Sequence, residues 1–189
     1  MTSTKSGTWF DLVPLRRWAP ALLALGCAGW LGLPAQARPD LLKAGVQAPD
    51  LSADADGGGT LKLSAYQGKV VVLDFWATWC PPCQKSMPHL ESVAKAVAGQ
   101  DVAVLGICVW DDRAKYESWL QKNRASYSFK FGYDPAGRSP SNLAAKYNVS
   151  GIPTTYIIDT KGKVAATIVG YDTGDTRVEA ALRKLGVKI

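Results

Sequence analysis

Cys80 and Cys83, in Trp79-Cys80-Pro81-Pro82-Cys83, are the residues whose spacing most directly implies chemistry. One thiol of such a pair can open a disulfide while the other, one helical turn away, releases the product. The pair follows an apolar stretch, Val70-Val71-Val72-Leu73 then Phe75-Trp76, interrupted only by Asp74. After it, apolar residues return at Met87, Leu90, Ala94 and Val97, the spacing of one helix face. The first cysteine is therefore expected where a buried strand ends and a helix begins. Free N–H groups and the helix dipole favour a thiolate there. Cys80 reads as the exposed nucleophile and Cys83 as the shielded resolving thiol.

The competing readings of such a pair are a static disulfide and a zinc site. Zinc needs a second pair of ligands. The chain supplies only Cys108 and its single histidine, His89, six residues past Cys83 on the same helix. No metal site is expected, and one imidazole also excludes the H-E-x-x-H and C₂H₂ patterns. His89 itself reads as a residue of a solvated helix face. Cys108, mid-strand in Gly106-Ile107-Cys108-Val109-Trp110, reads as a small buried hydrophobe.

The elements that must position the pair form one α/β unit. The chain has 189 residues, 47% of them hydrophobic and 20% charged, enough for one domain with a real core. Residues 1–37 read as a secretory signal peptide: Arg16-Arg17, an apolar run from Trp18 to Leu33, then the small-x-small Ala35-Gln36-Ala37. The run is shorter than the ~20 residues of a membrane span. Retention of this segment as an anchor and lipidation at Cys27 are the alternatives. Cleavage leaves Cys80, Cys83 and Cys108, an odd number that fits a redox pair with one spectator better than a disulfide scaffold. It also leaves 19 basic residues against 15 acidic ones, scattered without the run that marks a nucleic-acid binder.

Residues 38–189 are the expected domain. A hairpin is expected around Asp56-Gly57-Gly58-Gly59, then a buried strand from Lys69 to Trp76 and the helix after Cys83. A second buried strand follows from Asp101 to Trp110, and helices from Ala114 to Lys122 and Ser141 to Tyr147. A hairpin around Lys161-Gly162 and a helix from Asp175 to Leu185 close the chain. Strand, helix, strand, hairpin and helix make a mixed sheet flanked by helices.

Leu73-Asp74-Phe75-Trp76-Ala77-Thr78-Trp79-Cys80-Pro81-Pro82-Cys83 closely resembles the active-site segment of the thioredoxin superfamily, in particular the exported TlpA/ResA-like thiol–disulfide oxidoreductases. Ala48-Pro49-Asp50-Leu51, Gln67-Gly68-Lys69 and Gly151-Ile152-Pro153-Thr154-Thr155 extend the resemblance over nearly all of residues 38–189. The resemblance implies a thioredoxin-like fold with an N-terminal hairpin and a central insertion. It implies a cis Pro153 against the cysteine pair, with Ile152 backbone groups offered to a substrate chain and Trp79 bordering the groove. It matches Pro88 to the superfamily's helix-kinking proline. It makes Asp74 a buried acid with a raised pKa that exchanges a proton with Cys83; the alternative is a strand-end Asp satisfied by a neighbouring Lys or by backbone. One departure stands out. Many relatives carry Glu three residues after the second Cys, where this chain has Ser86, so the acid role would fall on Asp74 alone or on water.

The activity so implied is reduction of disulfides in exported, periplasmic proteins, with no bound cofactor and electrons drawn from a membrane-embedded thiol carrier. Two other classes compete. A thiol peroxidase needs P-x-x-x-T-x-x-C, whereas Thr78 stands two residues from Cys80 and no Pro precedes it at the required place. A copper-handling module uses C-x-x-x-C with a distant His, and no His follows His89.

Overall fold

In the computed structural model, which describes residues 40–139 and 142–189, the apolar stretch before the cysteines is the central strand of a seven-stranded mixed sheet. The expected leader, with Cys27, lies outside the described residues. The N-terminal hairpin pairs β1 (Ser52–Ala55) with β2 (Thr60–Lys62), turning through Gly58 and Gly59 at φ of 88° and 78°, a region that favours glycine. The strand β3 (Val70–Trp76) is buried along its whole length. It lies parallel to β4 (Val102–Cys108) and antiparallel to β6 (Thr154–Ile158), so that Leu73 stands between Leu105 and Tyr156. A strand covered on both faces and paired on both edges can be continuously apolar, which is the pattern read from the sequence.

One strand has no counterpart in the sequence reading. β5 (Lys130–Tyr133) runs parallel to β4 and antiparallel to β1, linking the hairpin to the main sheet. Four residues containing a glycine make a weak strand signal. What secures the strand is close packing: a Cβ on Gly132 would stand 2.9 Å from the Ala53 Cβ, and one on Gly106 3.3 Å from Phe129, Phe131 and Trp76. With β7 (Val164–Val169) beside β6, the strand order is β2-β1-β5-β4-β3-β6-β7.

Among the described residues four α-helices cover the sheet: α1 (Pro81–Ala96), α2 (Arg113–Asn123), α3 (Asn142–Lys146) and α4 (Arg177–Lys184). The crossovers β3–α1–β4 and β4–α2–β5 step the same way across the sheet, so right-handed connections place α1 and α2 on one face. There Val72, Trp76, Met87, Tyr116, Phe131 and Leu182 belong to one core. The opposite core holds Leu73, Phe75, Leu105, Tyr147 and Tyr156. The inserted α2 and β5 therefore widen the sheet on the side away from β6. The helix α1 continues through Pro88, which removes one intrahelical donor without ending the helix.

Candidate active site

The sequence turns from strand to helix at Ala77–Cys80, and this corner sets the geometry of the cysteines. Cys80 is the N-cap residue of α1 in extended backbone conformation, and Pro81 and Pro82 fill the first two helical positions. Proline is well suited there, because those N–H groups have no intrahelical partner. The first available donor, the Cys83 N–H, points to Cys80 Sγ at 3.2 Å. Gln84 N–H bonds to the Cys80 carbonyl at 3.1 Å, and its side chain bonds to the Thr78 carbonyl at 2.5 Å.

Cys80 and Cys83 are joined in a disulfide, with Cα atoms 5.3 Å apart. Cys83 is fully buried, as expected, but Cys80 is only 3% exposed rather than open to solvent. The cis Ile152–Pro153 loop accounts for part of this cover, with the Ile152 carbonyl 3.7 Å from Cys80 Sγ. A disulfide sulfur carries no proton and donates nothing; in the reduced form the Cys80 thiol is placed to donate a hydrogen bond to that carbonyl. Gly170 N–H bonds to the Pro153 carbonyl at 2.9 Å and Thr154 Oγ1 to the Gly151 carbonyl at 2.7 Å, which hold the loop to β7 and to itself. The exposed surface beside the pair belongs to Trp79, 49% exposed, whose indole N–H bonds to the Trp110 carbonyl at 2.8 Å. Trp76 is wholly buried and packs on Trp119, Tyr116 and Phe131.

Asp74 lies in the middle of β3, 1% exposed, on the face covered by α1. It is not a strand-end residue held by a lysine. Thr155, directly opposite on β6, donates its hydroxyl to Asp74 Oδ1 at 2.7 Å, and Oδ2 has no partner. Burial pushes the carboxyl up to about 7, against the lowering effect of the Thr155 bond. Thr155 shares a small cleft with Ser86, Leu90 and Pro153, which places the acid beneath the first turns of α1. Ser86 donates to the Cys83 carbonyl at 2.8 Å and so satisfies itself on the helix.

Besides Cys80, three residues depart from the reading of the sequence or escaped it. His89 is not on a solvated face: its ring bonds to Glu179 Oε1 at 2.7 Å, tying α1 to α4, and lies 5.6 Å from the Tyr171 ring. Glu91 is nearly buried and accepts from the Ser128 N–H and hydroxyl at 2.7 and 3.1 Å. Asp111 is completely buried and accepts from the Thr78 N–H at 2.6 Å, at the corner that precedes Cys80. Its one signal in the sequence is an Asp-Asp pair after an apolar strand, which is indistinguishable from an ordinary helix start. Cys108 is fully buried with Sγ 3.6 Å from Asp111 Oδ2. Burial and the Asp111 charge both push its thiol up, which keeps it protonated. Among the described residues no three His, Cys, Asp or Glu side chains gather closely enough to hold a metal.

A cysteine pair capping the helix after a central strand, faced by a cis-proline loop on a mixed sheet, is the arrangement of a thioredoxin-fold dithiol. The chain belongs to the AhpC/TSA family, whose model matches residues 44–167. It is 32% identical over 163 residues to the thioredoxin-like protein YneN of Bacillus subtilis, covering 84% of this chain and 93% of that protein. It is 35% identical over 129 residues to the thiol-disulfide oxidoreductase ResA of Geobacillus kaustophilus, covering 68% and 71%. Among solved structures, a Chlorobium tepidum protein assigned as the thiol:disulfide interchange protein DsbE superposes with a TM-score of 0.68 at 30% identity. That match covers 76% of this chain and 98% of the other. The exposed lipoprotein thioredoxin of Streptococcus pneumoniae matches with a TM-score of 0.60 at 30% identity over 71% and 99%. With its bonded cysteine pair, the protein is a thiol–disulfide oxidoreductase of thioredoxin-like fold.

Proposed function

We propose that this oxidoreductase reduces disulfides of exported proteins, with Cys80 as nucleophile, Cys83 as resolving thiol and Asp74 as the acid serving Cys83. The observation that carries the reading is the Cys80–Cys83 pair at the start of α1, set between the Ile152–Pro153 loop and a buried, half-partnered carboxyl. The Cys80 thiolate attacks a client disulfide, forming a mixed disulfide and expelling one client thiolate. Asp74 takes the Cys83 proton, the Cys83 thiolate attacks Cys80 Sγ, and the second client thiol leaves. The client gains two electrons, and the enzyme is left with its own disulfide, the form described above. A membrane-embedded thiol carrier resets it. Trp79, Ile152 and Pro153 border the groove in which the client chain lies.

Export is part of the same proposal: residues 1–37 are a signal peptide and 38–189 the periplasmic domain. The likeness to a lipoprotein described as exposed supports this, and no helix among the described residues is long and apolar enough to cross a membrane. The direction of electron flow follows from the donors at Cys80. Pro81 and Pro82 supply none and no histidine stands between the cysteines, which leaves the helix dipole and the Cys83 N–H. That modest stabilisation of the thiolate leaves the reduced Cys80 less acidic than the nucleophile of a strong oxidant, and gives the pair a potential below about −200 mV.

Equilibration of the purified protein against glutathione tests the direction: a potential near −120 mV, as strong oxidants have, reverses it. Capture of mixed disulfides through Cys80 in a Cys83→Ser variant identifies the client. Rapid consumption of hydrogen peroxide would instead establish the peroxidase reading.

A further inference from the structure

We infer that Asp111 is a positioning residue for the redox pair, and that its buried carboxylate biases Cys80 and Cys83 toward the disulfide. The inference rests on the reading of Cys80 as the nucleophile. Asp111 touches neither sulfur of the pair. It acts through the two residues before them.

The carboxylate has no solvent exposure and is used on both oxygens. Oδ2 accepts from the Thr78 N–H at 2.6 Å and faces the Cys108 thiol at 3.6 Å. Oδ1 accepts from the Asp112 N–H at 2.8 Å and stands 3.8 Å from Arg138 Nη2. The backbone of the same loop grips the next residue of the corner, since the Trp110 carbonyl accepts from the Trp79 indole at 2.8 Å. Thr78 and Trp79 are thus each tied to residues 110–111, and Cys80 follows at once. Trp110 adopts φ of 54°, a left-handed conformation that is unfavourable for a bulky residue. Its neighbours hold it there: Tyr133 donates to the Asp111 carbonyl at 2.8 Å, and Val109 N–H bonds to the Trp76 carbonyl at 2.9 Å.

A buried residue with this many fixed partners sets where the helix N-terminus begins. It also contributes charge. Reduction of the pair creates a thiolate at Cys80, whereas the disulfide is neutral, so a fixed carboxylate nearby favours the disulfide and lowers the potential. Four titratable or charged groups surround this residue. The Cys108 thiol stays protonated. The Tyr133 hydroxyl is engaged with the backbone. Asp112 and Arg138 are exposed on the solvent side, and Arg138 sits closer to Asp112, at 2.7 Å, so it screens Asp111 only in part. Asp111 therefore supplies a bias that a reductase requires and that the prolines of the motif leave unopposed.

The test compares the purified full chain with Asp111→Asn and Asp111→Glu, equilibrating each against glutathione and following Cys80 ionisation by thiolate absorbance. Asn keeps an acceptor oxygen for Thr78 and removes the charge. The Asn variant is expected to shift the equilibrium toward the dithiol by about three- to tenfold, tenfold being about 30 mV, and to lower the pH at which Cys80 ionises. Glu is expected to restore most of that shift. A folded Asn variant with the wild-type potential and thiolate titration overturns the inference. Arg138→Ala keeps the question open to refutation if the Asn variant does not fold. Loss of its screening is expected to move the equilibrium about twofold the opposite way, and no movement, or movement toward the dithiol, counts against the inference. A wild-type potential as high as that of a strong oxidant would sink the reductase reading alone, because the inference is decided by the shift of each variant relative to wild type: a shift toward the dithiol in the Asn variant upholds it and none overturns it.

Discussion

Replacing Asp74 with Asn should make the protein more stable at neutral and alkaline pH while slowing its turnover. In the unfolded chain Asp74 ionises near 3.8, and in the fold only near 7. Between those values the folded state binds more protons, so stability falls as pH rises from about 4 through about 7. Above that window the ionised, buried carboxylate costs about 4 kcal/mol. Asn removes this cost but puts an amide where Oδ2 has no partner, a loss of about 1–3 kcal/mol. The net gain at pH 8 is about 1–3 kcal/mol, a rise in melting temperature of about 2–10 °C; it should vanish between about pH 4.5 and 6 and become a net loss by about pH 4, where only the amide's missing partner remains. The kinetic effect runs the other way. At pH 7 about half of Asp74 is ionised and able to take the Cys83 proton, whereas an unaided thiol near 8.5 is only about 3% ionised. Resolution of the mixed disulfide should therefore slow about tenfold or more, with attack by Cys80 changed by less than about twofold. Stopped-flow measurement of both steps, with thermal melts from pH 4 to 8, checks the pair of effects. Equal slowing of both steps, no slowing, or a stability profile that is flat for the wild type would refute the reasoning.

Cys108→Ala should cost about 1 kcal/mol of packing and leave reductase activity within about twofold; a disulfide to Cys108 in peptide maps of the native protein would overturn its role as a spectator. Trp79→Ala should raise KM for a disulfide-bonded client more than it lowers kcat, because the exposed indole borders the groove and is remote from the core; an unchanged KM would remove it from the client surface. His89→Ala should destabilise by about 1–3 kcal/mol, since Glu179 would lose the partner of Oε1 while Oε2 has none. A variant with unaltered denaturant midpoint would show the pair to be energetically silent.

The sequence alone determined the strand–corner–helix unit around Cys80, because its information is local. An unbroken apolar run, two prolines after a cysteine, and a 3.6-residue apolar repeat each specify backbone within a dozen residues. Asp74 was legible for a related reason: one charge inside a buried strand must be paired or shifted in pKa wherever the strand is placed. The cis-proline loop was legible only through family resemblance, since nothing local ties Pro153 to a cysteine 73 residues away. The tertiary structure decided the rest. β5 exists because Gly106 and Gly132 let Phe129, Phe131 and Ala53 approach, a fit between segments far apart in the chain. His89 looked solvated on its own helix and is bridged because α4 brings Glu179 to it. Cys80 looked exposed at a helix start and is covered from the Ile152 side. Asp111 carried no distinguishing signal in the sequence and is a buried acceptor for Thr78, 33 residues earlier. Periodicity reports which face of an element is buried, but not what buries it, and the partners of a polar side chain are fixed only when separate elements meet.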